Sequence, residues 1–200
     1  MKKQVLAVHG GDTFATYEDY WKFLENFEID LNRYRGGFVD WKATLGEVLG
    51  EEYEVYTPRF PNPTNAQYSE WKLWMDKIIS HLRDDVIIIG HSLGASFVAK
   101  YLTESNLSIR VGAVLLVSGV AKVDTDGNGL HSFALPAVLD LQTEKVFLYH
   151  SKDDPVVAYD EILTFAKLLP HAQLRTLDDR GHLNQEQFPE LVTDIQSVKL

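Results

Sequence analysis

The sequence predicts an α/β protein in which a mostly parallel, six-stranded sheet carries helices on both faces. Short apolar runs alternate with longer amphipathic segments, and an alternation of this kind is typical of a parallel sheet. Several of the runs are apolar throughout, as strands covered on both faces must be. The six predicted strands lie at 5–8, 54–57, 86–89, 111–117, 146–149 and 174–177.

Length and charge limit the domain count and the partners. The chain has 200 residues, which predicts one domain over residues 1–200. Its 19 basic and 29 acidic residues give a net charge of -10. An acidic surface repels phosphate backbones and anionic lipids, so neither nucleic acid nor a membrane surface is an expected partner.

Cysteine is absent from the sequence, which excludes disulfides, thiolate metal sites and cysteine nucleophiles. The N-terminal apolar run is too short for a secretory signal, and no stretch reaches the ~18 apolar residues of a membrane span. We therefore expect a cytoplasmic protein.

The connection between the first two strands is far longer than a usual crossover. It contains two helical patterns, one from Tyr17 to Phe27 and one from Trp41 to Leu49. The second pattern suffices for the crossover, so residues from about 13 to 37 are interpreted as a lid-like insertion. Trp21 on its aromatic face is the predicted substrate contact, with Gly36-Gly37 as a hinge. The alternative is a surface decoration.

The sharpest chemical signal is Gly90-His91-Ser92-Leu93-Gly94, which matches the G-x-S-x-G nucleophile elbow. A predicted strand precedes it and a helical pattern follows it. The turn is so tight that side chains at 90 and 94 would collide, which explains the two glycines. Ser92 is therefore the predicted nucleophile. His91 is expected to shape the backbone and to contact substrate.

A serine nucleophile needs a base, and in this arrangement an acid and then a histidine follow the serine in sequence. His182 comes after the last predicted strand and is the expected base. His9 ends the first strand and is expected to shape backbone. The other histidines, His81, His131, His150 and His171, are interpreted as surface or loop residues.

Two adjacent aspartates, Asp153 and Asp154, follow the fifth predicted strand, where the acid belongs. One should orient the imidazole while the other caps the turn or faces water. Local chemistry leaves both alternatives open.

Two backbone amides are candidates for stabilising an oxyanion. The Leu93 amide lies at the start of the helix after the nucleophile. The glycines after His9 supply the second amide, for which Gly11 is favoured over Gly10.

These motifs together resemble the small single-domain α/β hydrolases grouped with the retinoblastoma-binding-protein-type serine hydrolases. The resemblance rests on the His-Gly-Gly turn, Pro61-Asn62-Pro63 before a Trp-bearing helix, the elbow, Asp153-Asp154-Pro155, and Gly181-His182 followed by Phe188 and Glu190-Leu191. It implies an α/β-hydrolase fold and serine-hydrolase chemistry. The broader fold's D-x-x-V-P register implies Asp154 as the acid.

The resulting hypothesis is an esterase acting on small-molecule carboxylic esters, without metal or cofactor. Asp124 to Gly129 imitates half of a calcium loop, but Leu135 stands where a glutamate ligand is required, so no calcium site is expected. The competing hypothesis is a weakly catalytic hydrolase scaffold that serves as a protein-binding module, although no feature of the sequence points to a protein partner.

Overall fold

The computed structural model describes residues 1–31, 39–121 and 130–199. Its centre is one sheet of six strands, every adjacent pair of which is parallel, in the order β2-β1-β3-β4-β5-β6. The strands are β1 (Lys3–Val8), β2 (Tyr53–Tyr56), β3 (Val86–His91), β4 (Val111–Val117), β5 (Val146–Ser151) and β6 (Gln173–Leu177). The predicted α/β-hydrolase fold is confirmed, and the sheet is wholly parallel over the described strands.

Six α-helices occur in the described ranges, with a short 3-10 turn at His131–Phe133. They are α1 (Tyr17–Asn26), α2 (Trp41–Leu49), α3 (Tyr68–Ile79), α4 (Leu93–Glu104), α5 (Asp160–Leu168) and α6 (Pro189–Ser197). Helix α5 lacks a counterpart in the sequence-based assignment. Only Ile162 and Phe165 anchor it with buried apolar side chains, too few for a clear helical periodicity.

The sheet separates two hydrophobic cores because alternate strand residues point to opposite faces. Ile88 and its same-face neighbours pack with α3, α4 and α5. Ile87 and Ile89 pack on the other face with α2 and α6. All six residues of β3 are buried, which places this strand deep in the molecule and fixes the turn that follows it.

The insertion has a helix where the sequence predicts one, but that helix stands away from both cores. Thr16 caps α1 by accepting a hydrogen bond from the Asp19 N–H at 3.1 Å. No residue of α1 is buried, and Trp21 is 51% exposed. Its aromatic contacts are local, such as those of Phe14 with Tyr20 and Phe23. The predicted hinge, Gly36-Gly37, lies outside the described residues.

No helix in the described part of the chain combines the length and the apolar character needed to cross a membrane.

Candidate active site

The turn between β3 and α4 has the geometry of a nucleophile elbow. Ser92 has φ 57 and ψ -126, a conformation that non-glycine residues rarely adopt. Its N–H donates to the Val117 carbonyl at 2.8 Å, which ties the turn to the neighbouring strand. The side chain of Ser92 consequently leaves the backbone at the carboxyl edge of the sheet, at the N-terminus of a helix.

The two glycines of the elbow are sterically required, as predicted. A Cβ at Gly90 would lie 2.5 Å from the Gly94 carbonyl oxygen. A Cβ at Gly94 would lie 2.4 Å from the His9 carbonyl oxygen. Both distances are far shorter than a van der Waals contact, so any larger residue would displace the strand, the turn or the helix.

His182 and Asp154 form the hydrogen-bonded pair expected of a base and its orienting acid. The distance from His182 Nδ1 to Asp154 Oδ2 is 2.8 Å, and that to Oδ1 is 3.1 Å. Because an ionised carboxylate only accepts hydrogen bonds, Nδ1 carries the proton and Nε2 is left as a proton acceptor. This is the tautomer that a general base requires.

The surroundings of Asp154 stabilise its charged form. Burial by itself would raise the pKa of this carboxyl, but the hydrogen bond from His182 and the backbone N–H groups of Val157 and Val156 outweigh burial and lower the pKa to about 2. Those two N–H groups lie 3.0 and 2.9 Å from Asp154 Oδ1. Asp154 is thus an anion at neutral pH.

The adjacent carboxylate, Asp153, holds the backbone of the loop that carries the base. Its Oδ1 accepts hydrogen bonds from the Arg180 and Gly181 N–H groups, both at 3.1 Å, and from the Ser151 hydroxyl. The Ser151 hydrogen bond, followed by those of Gly181 and Arg180, lowers the pKa of Asp153. The two aspartates therefore differ in their contacts, one binding the imidazole of His182 and the other the loop before it.

His150 is a buried neighbour of the acid, and its interpretation as a surface or loop residue is wrong. It is 0% exposed because β5 continues two residues beyond its predicted end. His150 Nε2 donates to the Val157 carbonyl at 2.9 Å and lies 3.5 Å from Asp154 Oδ2. The signal that could have revealed it is its position at the carboxyl end of a buried strand.

His91 lies beneath the base rather than in the substrate cleft. It is 4% exposed, and its Nε2 is 2.9 Å from the His182 carbonyl oxygen. The predicted substrate contact is therefore corrected, since this ring is enclosed between the elbow, Lys42 and the His182 loop. The expected backbone role of His91 agrees with these contacts.

One cleft brings Ser92 together with both predicted oxyanion residues. It encloses about 420 Å³ and is lined by Gly11, Asp12, Thr13, Ser92, Leu93, Val120, Leu130, Val156, Val157, Ala158 and Glu161. Gly10 packs directly against the nucleophile, since a Cβ there would lie 2.8 Å from Ser92 Cβ. Trp21 is not among the residues that line this cleft, and no residue of α1 is buried, so the contact of Trp21 with substrate stays a prediction.

His9 fixes the turn that carries Gly10 and Gly11. Its Nε2 accepts the Phe60 N–H at 2.8 Å, so Nδ1 carries the proton and donates to the Gly10 carbonyl at 2.6 Å. Burial lowers the pKa of His9, although the hydrogen bond to Gly10 opposes it. A neutral histidine with both nitrogens engaged in backbone contacts has the structural role that the sequence indicates.

His91 connects Ser92 with the loop that carries His182. Among the described residues, no hydrogen bond joins Ser92 Oγ to the His182 ring. Catalytic hydrogen bonds are often long before substrate is bound. His91 precedes Ser92 in the chain, and its Nε2 lies 2.9 Å from the His182 carbonyl oxygen.

Metal binding has no geometric basis in the part of the chain that is described. No group of three or more histidine, aspartate and glutamate side chains is arranged there to hold an ion. The calcium-like segment, Asp124 to Gly129, falls outside the described residues.

The sequence of this chain is similar to the sequences of known hydrolases. A family model described as serine hydrolase matches residues 37–191. The chain is 29% identical over 168 residues to the rat (Rattus norvegicus) serine hydrolase RBBP9, covering 81% of this chain and 86% of that protein. It is 26% identical over 152 residues to the putative hydrolase YdeN of Bacillus subtilis strain 168, covering 72% and 78%.

Solved structures show the same fold. The ydeN gene product of Bacillus subtilis superposes with a TM-score of 0.69 at 19% identity, covering 98% of both chains. XC6422 of Xanthomonas campestris, described as an a/b serine hydrolase without lid, gives a TM-score of 0.60 at 11% identity, covering 98% of this chain and 81% of that one.

Proposed function

Because the chain belongs to the serine hydrolase family, whose model covers residues 37–191, we propose that it hydrolyses carboxylic esters with small or medium acyl groups. The reaction passes through an acyl-enzyme on Ser92. The single observation that carries this proposal is that the strained elbow at Ser92 occurs together with a His182–Asp154 pair in the tautomer of a general base.

The proposed mechanism assigns each step to a described group. Ser92 Oγ attacks the ester carbonyl carbon while its proton passes to His182 Nε2. The Leu93 and Gly11 N–H groups stabilise the oxyanion, and its collapse expels the alcohol, which takes the proton from His182. A water molecule, activated by His182, then hydrolyses the acyl-enzyme and regenerates Ser92.

Asp154 supplies charge and orientation in this scheme. As an anion it stabilises the imidazolium that forms when His182 takes the serine proton. The hydrogen bonds that lower its pKa to about 2 keep it from competing for that proton.

The cleft supports a small, uncharged acyl group. Val120, Leu130, Val156 and Val157 give it apolar walls, and its volume of about 420 Å³ is at the low end of the range for ligand pockets. Two carboxylates, Asp12 and Glu161, also line it, which disfavours anionic esters. The net charge of -10 likewise favours a small-molecule substrate over nucleic acid, and a chain without cysteine fits the proposed cytoplasmic location.

Ser92→Ala tests the proposal. The wild type should hydrolyse p-nitrophenyl acetate and butyrate and be labelled stoichiometrically by a fluorophosphonate probe. The variant should lose both activities because it lacks the attacking oxygen, while its circular dichroism and melting temperature stay close to wild type. Ser96→Ala is the matched control, since Ser96 is a buried serine of α4, the helix that follows Ser92, and its hydroxyl donates to the Val120 carbonyl.

The competing function is a protein-binding module on the same scaffold. A wild-type chain that is folded but neither turns over esters nor reacts with the probe would favour that function. Turnover retained in Ser92→Ala would instead contradict the assignment of the nucleophile.

A further inference from the structure

Two buried ring N–H groups hold two consecutive carbonyls of the base-bearing loop. His91 Nε2 lies 2.9 Å from the His182 carbonyl oxygen, and Trp41 Nε1 lies 2.8 Å from that of Leu183. The two rings also contact each other edge to face, with centroids 6.1 Å apart. Since His91 and Trp41 are 4% and 2% exposed, water does not compete for these hydrogen bonds.

The backbone at this point adopts a conformation that needs support. Leu183 has φ 52, and Gly181, on the other side of His182, has φ 51. A left-handed conformation is ordinary for glycine but unfavourable for a bulky residue such as leucine. Leu183 is also fully buried, so its side chain and its carbonyl are both fixed by their surroundings.

Lys42 selects the ring tautomer of His91 that can donate to His182. Lys42 Nζ lies 3.4 Å from His91 Nδ1 and 2.5 Å from Asp40 Oδ2. An ammonium group only donates hydrogen bonds, so Nδ1 must be the acceptor and Nε2 must carry the proton. Burial, followed by the nearby Lys42 charge, lowers the pKa of His91 well below its usual value, which keeps the ring neutral.

The start of α2 holds the rest of the same loop. The Trp41 N–H donates to the Gln185 carbonyl at 2.8 Å, and the Thr44 hydroxyl donates to the Glu186 carbonyl at 2.9 Å. Together with the two ring N–H groups, these contacts bind four carbonyls of the loop, namely those of His182, Leu183, Gln185 and Glu186. The loop is thus attached to α2 and to the elbow rather than to its own neighbours alone.

We propose that His91 and Trp41 are positioning residues that fix the imidazole of His182 by clamping the carbonyls of His182 and Leu183. The inference rests on the proposed function, because it takes His182 as the base. Asp154 sets the direction of the imidazole through Nδ1, and the clamp sets the position of its Cα. Both constraints are needed to aim Nε2 at Ser92.

Three variants separate positioning from simple stability. His91→Phe and Trp41→Phe keep an aromatic ring but remove the N–H donor. His91→Gln keeps a donor near the place of Nε2. Tyr101→Phe is the control, because it removes a partly buried hydrogen bond, 2.8 Å from the hydroxyl to Asp76 Oδ1, between residues outside the loop. Each is assayed for kcat and KM on p-nitrophenyl butyrate and for its melting temperature.

The clamp predicts that kcat falls about 10- to 100-fold in His91→Phe and Trp41→Phe, because small misplacements of a catalytic group carry losses of this size. KM should change less than about twofold, since neither ring lines the cleft. The kcat of His91→Gln should stay within about threefold of the wild-type value. Tyr101→Phe should have a lower melting temperature than the wild type but an unchanged kcat. Unchanged kcat in folded His91→Phe and Trp41→Phe would overturn the proposal, as would equal losses in Tyr101→Phe.

Nitrogen-15 spectra of the wild-type protein provide a test that needs no variant to fold. They should show His91 as a neutral ring protonated at Nε2, with the Trp41 indole N–H protected from solvent exchange. A His91 ring protonated at Nδ1 would overturn the clamp. Absence of Ser92-dependent turnover would instead contradict the proposed function, and these spectra would still report whether the two donors are in place.

Discussion

Asp153 and Asp154 are chemically identical neighbours whose contacts separate their roles. Asp154 binds the imidazole of His182 through Oδ2, while Asp153 accepts the backbone N–H groups of Arg180 and Gly181. Both carboxylates therefore hold His182, the proposed base, one directly and one through the loop that precedes it. Substitutions should distinguish these two modes of action.

Asp154→Asn should lower kcat by about 10⁴-fold, since an amide cannot stabilise the imidazolium and favours the wrong tautomer. Asp153→Asn should be mild, because its amide oxygen can still accept the two backbone N–H groups. Asp153→Ala should lower the melting temperature and kcat together, because those N–H groups lose their partner. Steady-state kinetics and thermal melts check all three. A large loss in Asp153→Asn with a mild one in Asp154→Asn would exchange the two assignments.

The sequence predicts individual site residues where the proposed chemistry allows them only one place in the chain. Ser92 follows from the glycines around it, and His182 follows from its place after the last strand. The sequence does not separate Asp154 from Asp153 without a family resemblance, since their contacts depend on the direction of each side chain. Nor does it reveal the burial of His150 or the clamp on His182, which join residues far apart in the chain.

Glycines in two of the helices show that the effect of adding one methyl group depends on the atoms around it. In the elbow, a Cβ at Gly94 would meet the His9 carbonyl oxygen at 2.4 Å. In α2, a Cβ at Gly46 would lie 3.6 Å from Val55 Cβ, an ordinary contact. Substitution by alanine should therefore destabilise the protein at Gly94 and stabilise it at Gly46.

Gly94→Ala should destabilise the protein by about 1–3 kcal/mol and abolish activity, because the elbow must shift to accommodate the methyl group. Gly46→Ala should raise the free energy of unfolding by about 0.5–1 kcal/mol, since alanine restricts the unfolded chain and favours helix. Urea unfolding measures both changes. Destabilisation by Gly46→Ala would show that the methyl group is strained against Val55.

The helix α1 is the element whose function the sequence does not determine. Its amphipathic pattern predicts its bounds well, from Tyr17 to about Phe27 against an observed end at Asn26. The same pattern also suggests a covered aromatic face. In the structure that face remains exposed, because amphipathicity records the existence of an apolar side and not what lies against it.

Trp21→Ala tests whether α1 acts on substrate. With Trp21 51% exposed and outside the cleft lining, we expect kcat and KM to change less than about twofold for acetyl and octanoyl esters alike, and stability to stay within about 0.5 kcal/mol. A selective rise in KM for the longer ester would support the prediction that Trp21 of the lid-like insertion contacts substrate. Trp74→Ala, on α3, serves as a second exposed tryptophan for comparison.

For the molecule as a whole, the apolar strand patterns determine the fold because the sheet is covered on both faces. β3 and β4 are buried at every residue, and such strands are readily recognised in a sequence. The ends of strands are less certain, as β5 shows, because polar residues such as His150 and Ser151 are buried there by contacts with loops. These ends are also where the proposed catalytic groups lie.

Two neutral histidines, the buried His91 and the half-buried His9, should make global stability depend on pH. Burial lowers the pKa of His91 and of His9 in the folded state, whereas the unfolded chain titrates at the ordinary value of 6.5. The unfolded state therefore binds more protons below that pH, so the stabilisation present above pH 6.5 is lost as pH falls. Each such histidine contributes a slope of at most about 1.4 kcal/mol per pH unit.

Urea unfolding at pH 7.5 and 5.5 checks this prediction. The wild type should lose more free energy of unfolding between the two pH values than His91→Gln, whose side chain does not titrate. His81→Gln should behave as the wild type, since His81 is exposed. Equal losses in wild type and His91→Gln would mean that His91 does not remain neutral in the folded protein.

The clamp on His182 also bears on the order in which the protein acquires activity. Trp41 and Leu183 are separated by 142 positions in the chain, and His91 and His182 by 91. Contacts between such distant segments require long loops to close, which slows their formation. A refolding chain should consequently regain helix content before it regains hydrolase activity, so the return of turnover marks the final long-range closure rather than the collapse of either core.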